Sequence, residues 1–323
     1  MIRVLEPAAG RNFALISPES KGDSLLSVDE MLVKNLYMAH GALLFRGFTS
    51  DLAIFAEITA RFCSTYIWNE SRGRKAITAD RRIQTVDAGV RHFPLHAELA
   101  RQPWKPDVAW FACMNSPSRG GETTICDGVA IVRNMPGHMV RALQDRQLLY
   151  VRELEPSECQ YWFNTTEPND EMIETPPSSC PFKFIRQSGA LYCAFTHPLL
   201  HKPMFSDDLA FANFLLFARF KRGDRAYPIF EDGTEISDEI CNEIRRISDR
   251  ILVPIAWQKN DVLMLDNTRF MHGRNMIVDV AERVILTNFG FLKFAKSSAE
   301  VPIDPPWRST VHSGRFLKAI APF

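Results

Sequence analysis

The chain has 323 residues, 46% of them apolar, with 38 basic and 38 acidic side chains. A chain of this size and composition can bury a sizeable core. The balanced charge gives no overall field that would gather nucleic acid or an anionic membrane surface, so the expected partner is a small molecule.

No segment approaches the roughly 18 consecutive apolar residues of a membrane span, and the first 20 residues contain no continuous apolar stretch. We therefore expect a cytoplasmic protein. The seven cysteines are scattered and form no CxxC pair, which argues for reduced thiols and against a disulfide framework or a zinc site.

Helix and strand signals alternate at the start of the chain. Ser27 and Glu30 have the spacing of a capping box before a periodic apolar run, and Gly41 can end it, which predicts a helix over 28–40. The run ALLFRGF predicts a strand, and the run DLAIFAEITARFC, begun by the pair TS, predicts a second helix.

From about residue 80 the pattern changes to short apolar segments separated by turn residues, such as DVAWFACMN, ALYCAF and DVLMLD. This pattern is typical of a sandwich or barrel. Two helices are predicted between these strands, one over 207–220 that ends near Gly223 and one entered through Ser237. The predicted fold class is mainly β with flanking helices.

The whole chain, 1–323, is predicted to form a single domain. Within it, the segment from about 155 to 190 is rich in Pro, Ser, Glu and Asn and has weak periodicity. A long stretch of that kind in a compact domain is often a lid over a site, so we expect a lid or insert here.

A possible metal site lies in the segment FPLHAEL, where His96 and Glu98 are two residues apart. On an extended strand, or at its end, both side chains leave the same face and can share a metal ion. Far downstream, the strand DVLMLD and a turn lead to His272, which could supply a second imidazole. Two histidines and one carboxylate leave three open positions on an octahedral ion, which suits iron(II) that must accept a chelating acid and O₂.

Two further residues fit a dicarboxylic co-substrate. Arg283 follows His272 by eleven residues, on what should be the next inward-facing strand, where its guanidinium can clamp a carboxylate in bidentate fashion. The alternative for Arg283 is a surface ion pair with Glu282 or Asp279. Thr123 in the run GGETTICDG has a hydroxyl that could bind the same carboxylate.

The order of these motifs, LHAE, GGET, WQKNDVLMLDN and HGR with an arginine eleven residues on, resembles the taurine dioxygenase-like family. Its members are Fe(II)/2-oxoglutarate-dependent dioxygenases with a double-stranded β-helix, or jelly roll, of the cupin-like kind. By this resemblance His96, Glu98 and His272 are the iron ligands that carry the catalysis, and Thr123 and Arg283 bind 2-oxoglutarate.

The chain departs from the commoner pattern at Glu98, where the ligand is usually aspartate. This variant resembles the clavaminate synthase-like and syringomycin-type aspartate hydroxylase branches, which act on amino-acid-like substrates. Thr287 stands where taurine dioxygenase has a further arginine, which argues against taurine as the substrate. The related halogenases have a small residue in place of the carboxylate ligand, so Glu98 favours hydroxylation over halogenation.

The resemblance implies the oxidation, most simply the hydroxylation, of an unactivated C–H bond with release of succinate and CO₂. The expected substrate is a small amino-acid-derived molecule, free or presented on a carrier protein, in secondary-metabolite biosynthesis. Gln84, Asp87 and Arg274 are candidate substrate residues, although Arg274 could equally contact the co-substrate or pair with Asp266 across the turn.

Desaturation, epoxidation, ring formation and halogenation remain open as variants of the same chemistry. A cupin-like binding protein without turnover is the alternative outside enzymes, against which the intact set of five site residues argues. The sequence leaves a homo-oligomer possible.

Overall fold

Strands form three sheets in residues 2–20, 22–279, 283–297, 308 and 312–313, which the computed structural model describes. The main sheet has the order β1-β2-β3-β14-β7-β16-β4-β17, with β5 beside β16. Its strands are β1 (Ile2–Leu5), β2 (Ala14–Pro18), β3 (Ala42–Phe45), β4 (Cys63–Trp68), β5 (Ile83–Thr85), β7 (Val108–Asn115), β14 (Val262–Asp266), β16 (Val284–Leu292) and β17 (His312–Ser313).

The two smaller sheets have four strands each. One is antiparallel and has the order β13-β8-β15-β6, and the other has the order β10-β11-β9-β12. The first comprises β6 (Phe93–His96), β8 (Thr123–Asp127), β13 (Val253–Ile255) and β15 (Phe270–Arg274). The second comprises β9 (Gln147–Glu153), β10 (Lys183–Gln187), β11 (Ala190–Pro198) and β12 (Ile229–Phe230).

One hydrophobic cluster joins the inner faces of the main sheet and the β13-β8-β15-β6 sheet. Phe111 and Phe289 of the main sheet lie in it together with Ile125 and Phe270 of the smaller sheet, and all four side chains are almost fully buried. The mainly β fold predicted from the short apolar segments is confirmed.

Helices surround these sheets on the outside. They are α1 (Glu30–His40), α2 (Leu52–Phe62), α3 (Gly128–Arg133), α4 (Gly137–Leu143), α5 (Pro156–Phe163), α6 (Asp170–Glu174), α7 (Leu215–Phe217) and α8 (Asp238–Ile251). Within the described ranges, none of these helices combines the length and apolarity needed to cross a bilayer.

The helices predicted near residue 30 and after Ser237 are both present. Helix α8 begins after Ser237, whose hydroxyl accepts from the backbone N–H of Ile240, as the sequence indicates. Helix α1 ends at Gly41, which has the left-handed conformation, as predicted. Its N-cap is Asp29 and not Ser27, so the helix begins at Glu30, two residues later than predicted. Ser27 and Asp29 both carry acceptor side chains and are two residues apart, and Asp29 is the one that caps the helix.

The helix predicted over 207–220 is only partly present. Residues 207–214 are not helical, and a short α7 continues as a π-helical turn over Ala218–Arg222, which ends at Gly223 as predicted. The backbone of Phe211 donates to Gly128, and Ala97 donates to Asn213, so neighbouring elements take these peptide groups. Tertiary hydrogen bonds therefore override the local helical pattern.

The segment over 155–190 is more regular than its composition indicates. It contains α5, α6 and β10, and β10 pairs along its length with β11. Arg152 reaches both carboxylate oxygens of the buried Glu158 in α5, at 2.8 and 2.6 Å, which fixes this helix to β9. The segment thus contains regular elements with their own hydrogen bonds.

Candidate active site

Pairing of β6 with β15 brings the two predicted histidines together. His272 in the middle of β15 is directly opposite His96 at the end of β6, and the two ring centroids are 4.5 Å apart. Directly paired residues project to the same face of a sheet, so the imidazoles share one surface. Gly273 permits this close pairing, because a Cβ there would lie 2.5 Å from the carbonyl oxygen of Phe93.

Glu98 lies in the turn that follows β6, and the side chain of Asn267 fixes its peptide. Oδ1 of Asn267 accepts from the backbone N–H of Glu98 at 2.7 Å, and Nδ2 donates to its carbonyl at 3.0 Å. This contact joins positions 169 residues apart. The turn returns the carboxylate to the face that carries the histidines.

The three predicted metal ligands form one buried cluster. Their candidate ligand atoms in His96, Glu98 and His272 all lie within 4.8 Å of one another, and Nε2 of His272 is 3.6 Å from Oε2 of Glu98. No other such group occurs among the described residues. Two imidazoles and one carboxylate on one face fit a divalent iron that keeps open positions.

The protonation of His96 and Glu98 suits metal binding. Nδ1 of His96 lies 3.0 Å from the carbonyl oxygen of Pro94 and must donate to it, which leaves Nε2 as the free ligand atom. Burial and the neighbouring His272 lower the pKa of His96 to about 3, so the ring is neutral. Burial would raise the pKa of Glu98, but Arg74 and the two imidazoles hold it far below its usual range.

Two residues that the sequence did not single out contact the Glu98 carboxylate. Nδ2 of Asn69 donates to Oε1 at 2.5 Å, and Nη2 of Arg74 lies 3.2 Å from Oε2. Both residues lie in the loop between β4 and β5, and neither belongs to one of the motifs quoted above. Only their spatial position beside Glu98 reveals them.

Arg283 and Thr123 line the same small cavity as the two histidines. Arg283 immediately precedes β16, and its Nε donates to the carbonyl of Gly121 at 3.2 Å. It forms no ion pair with a carboxylate among the described residues, and the alternative partner Glu282 lies outside them. Burial and the nearby Arg274 lower the pKa of Arg283 to about 10, so it remains a cation near neutral pH.

The hydroxyl of Thr123 is held toward this cavity by an unpredicted neighbour. Nε1 of Trp257 donates to Oγ1 of Thr123 at 3.1 Å, and both residues are buried. With that lone pair occupied, the hydroxyl proton is left to donate to an incoming acceptor.

The three candidate substrate residues have different surroundings. Asp87 lines the cavity, and its carboxylate accepts from Ser71 at 3.0 Å and from the N–H of Gly89 at 2.9 Å. The side-chain amide of Gln84 forms hydrogen bonds with the backbone of Asn69: it accepts from the N–H and donates to the carbonyl. Gln84 is therefore linked to the Glu98 carboxylate indirectly, through Asn69.

Arg274 is tied to the backbone of the loop that follows β5. Its guanidinium donates to the carbonyl of Asp87 at 2.6 Å, to that of Arg91 at 3.2 Å, and to that of Gly89. It forms no ion pair with Asp266, whose Oδ1 instead accepts from the backbone and hydroxyl of Thr268. Arg274 also lines the cavity beside Arg283.

The sequence matches the family described as "Taurine catabolism dioxygenase TauD, TfdA family" over residues 10–287. Two curated relatives are each 25% identical to it. One is a clavaminate synthase-like protein of Arabidopsis thaliana, with 72% of this chain and 77% of the relative covered. The other is the dapdiamide synthesis protein DdaC of Enterobacter agglomerans, with 77% and 83% covered.

Solved structures share the fold at low identity. Two structures of PvcB, one of them from Pseudomonas aeruginosa, superpose with TM-scores of 0.59 and 0.55 at 15% and 16% identity. They cover 94% and 90% of this chain, and this chain covers 96% and 91% of theirs. The second is described as an Fe, alpha-ketoglutarate dependent oxygenase from an isonitrile synthetic pathway. The chain thus belongs to the TauD, TfdA family and is an iron(II)- and 2-oxoglutarate-dependent dioxygenase.

Proposed function

We propose that His96, Glu98 and His272 are the three protein ligands of the catalytic iron(II). The observation that carries this assignment is the buried face of two imidazoles and one carboxylate, with candidate ligand atoms within 4.8 Å of one another. Pro94 orients the His96 ring, and Asn69 and Arg74 orient the carboxylate. The metal, when bound, supplies the redox chemistry that couples O₂ and 2-oxoglutarate to substrate oxidation.

The same proposal places 2-oxoglutarate between the metal face and Arg283. The guanidinium of Arg283 receives the far carboxylate, and the hydroxyl of Thr123 donates to it. The cavity that these residues share with His96 and His272 supports this arrangement. Arg283 has no carboxylate of the described chain to pair with, so its charge is available to the co-substrate.

Aromatic rings shield the ligands from water. The ring of Phe111 lies 5.0 Å from that of His272, and the rings of Phe93 and Phe217 lie 5.8 and 4.9 Å from that of His96. An apolar surround of this kind strengthens the electrostatic contacts at the metal and protects a reactive site from side reactions.

We further infer that the reaction is hydroxylation of an unactivated C–H bond in a small amino-acid-derived or carrier-bound substrate of secondary metabolism. Support comes from the names of two relatives, one in dapdiamide synthesis and one in an isonitrile pathway. Asp87 is the substrate residue best placed for this role, because it lines the cavity next to the metal face.

The proposed function also implies a particular arrangement of the sheets and a lid. We infer that the face-to-face sheets are a double-stranded β-helix within a single domain, and that the insert over 155–190 serves as its lid. This role is supported by Arg152 on β9, which lines the cavity that adjoins the metal site and also holds α5 of the insert.

The test is to add iron(II) and 2-oxoglutarate to the metal-free protein without oxygen and to record the visible metal-to-ligand charge-transfer band. Chelation of the keto acid at one iron produces this band, so wild type should show it and His96→Ala should not. Arg283→Ala should need much more 2-oxoglutarate. The matched control is His138→Ala, which removes an exposed histidine and should leave the band unchanged.

A colourless wild type that also fails to bind iron by calorimetry would contradict the assignment and favour a binding protein of the same fold. A band that persists in His96→Ala would place the metal elsewhere.

A further inference from the structure

A second cavity, of about 670 Å³, opens directly outside the metal face and has a cationic wall. Two of the proposed metal ligands, His96 and Glu98, line this cavity. Six basic residues line it against three acidic ones, Glu70, Asp87 and Glu98. The basic residues are Arg72, Arg74, Arg91, Arg101, Lys221 and Arg222. Because the whole chain has a net charge of zero, this excess is a local property of the cavity.

Two acidic residues of this cavity, Glu98 and Asp87, make specific contacts. Glu98 belongs to the proposed metal face, and Asp87 accepts hydrogen bonds from Ser71 and Gly89. The six basic residues exceed the three acidic ones by three, so the wall keeps a net positive charge.

Arg74 at the inner end has unused donors in a buried position. Its side chain is 7% exposed, and one nitrogen contacts Glu98, while Nε and Nη1 have no hydrogen-bond partner. Buried guanidinium N–H groups without acceptors are energetically costly. Arg74 lines both this cavity and the small one beside the histidines, so its unsatisfied donors add to the positive character of the inner end.

Arg101 and Arg222 extend the cationic wall outward over one aromatic ring. Their guanidinium carbons lie 5.3 and 5.9 Å from the ring centroid of Phe214. Neither arginine has a carboxylate partner among the described residues, whereas Arg152 nearby is bound by Glu158. Both arginines also line the adjoining cavity beside Tyr227, so they stand where the two spaces meet.

We propose that the substrate carries an oxyanion and that Arg101 and Arg222 bind it at the entrance to the metal site, with Arg74 forming the inner end of the same wall. The ring of Phe214 lies within cation–π distance of both guanidiniums, and the planar fork of each one matches the geometry of a carboxylate or a phosphate. This inference rests on the proposed function, since it names the substrate class for that metal face.

The test measures anion binding by calorimetry on the metal-free protein, so that a failure of iron binding does not affect it. Two matched probe pairs distinguish the sources of the anion: N-acetylamino acids against their neutral amides, and phosphopantetheine against pantetheine. Wild type should bind the anionic member of at least one pair roughly tenfold to 100-fold more tightly, the range that charged hydrogen bonds give. The preferred pair identifies a free acid or a carrier-bound substrate.

The preference should disappear in the Arg101→Gln/Arg222→Gln double variant and be partly retained in Arg101→Lys, which keeps the charge without the fork. Arg283→Gln and the distant surface change Arg133→Gln should both leave it unchanged. Arg222→Gln alone changes an exposed side chain, so it provides a folded variant even if Arg101 is needed for stability. Equal binding of acid and amide and of both pantetheines, or a preference that depends on Arg283, would overturn the proposal.

Discussion

The side-chain amide of Asn69 lies 2.5 Å from Oε1 of Glu98 and donates to it. Glutamate has one more rotatable bond than the commoner aspartate ligand, so it needs more restraint to hold its carboxylate on a metal. Asn69 supplies that restraint from one side and Arg74 from the other. The amide of Gln84 in turn fixes the backbone of Asn69.

Asn69→Ala should therefore weaken iron(II) binding by roughly 10- to 100-fold, the usual effect of losing a partner that orients a ligand. Calorimetric titration of the metal-free protein with iron(II) under anaerobic conditions measures this. Gln84→Met should give a smaller loss in the same direction. The control is Thr78→Ala in the same loop, and equal iron affinity of the Asn69 and Thr78 variants would show that Asn69 does not orient the ligand.

Arg283→Gln should weaken 2-oxoglutarate binding by roughly 10- to 100-fold, because it removes two charge-assisted hydrogen bonds to the far carboxylate. Arg283→Lys should fall between this variant and wild type, because it keeps the charge but not the fork. Titration of the charge-transfer band with 2-oxoglutarate gives the affinities. Iron affinity without the co-substrate should stay unchanged, and a loss there would indicate a structural role for Arg283.

Arg274→Met should lower the free energy of unfolding by about 2 kcal/mol, because three backbone carbonyls lose a charged donor. The carbonyls belong to Asp87, Gly89 and Arg91, so the loop they form should exchange its amide hydrogens faster. Urea unfolding and hydrogen exchange measure the two effects. Arg91→Met in the same loop is the control, and equal exchange in both variants would contradict the prediction.

Asp266→Asn should become progressively more stabilising, relative to wild type, as the pH rises from 4 to 7. Burial raises the pKa of Asp266 from 3.8 to about 6, so its contribution to stability is full below pH 3.8 and is lost as the pH rises through 6. The amide oxygen of asparagine can still accept from Thr268. At 1.36 kcal/mol per pKa unit, the difference should reach about 3 kcal/mol at most.

Urea unfolding of both proteins at several pH values gives this difference directly. Asp145→Asn at an exposed position serves as the control. A difference that stays constant between pH 4 and 7 would show that Asp266 does not titrate in this range.

Local sequence predicted the parts of the site that depend on nearest neighbours. His96 and Glu98 are two residues apart, and the end of a strand with its turn is enough to place both on one side. Ser237 caps α8 because its hydroxyl needs only the N–H three residues on. Short apolar segments bounded by turn residues located the strands, because core strands such as β14 are buried along their whole length.

Tertiary structure decided the contacts that join distant segments. The spacing of the motifs suggested that Arg283 approaches the metal face, but Asn69 and Arg74 belong to no motif. Trp257 and Asn267 do lie in the motif WQKNDVLMLDN, yet the motif did not indicate their contacts with Thr123 and Glu98. Residues 207–214 have a helical pattern, yet their peptide groups bond to other elements instead.

Local sequence does not reveal these contacts, because a hydrogen bond or a charge acts over a few ångströms in space, whatever the separation of the two residues along the chain. The sequence by itself therefore determined which groups could bind iron, while the packing of β6, β15 and the loop before β5 decided which other groups would hold and surround them.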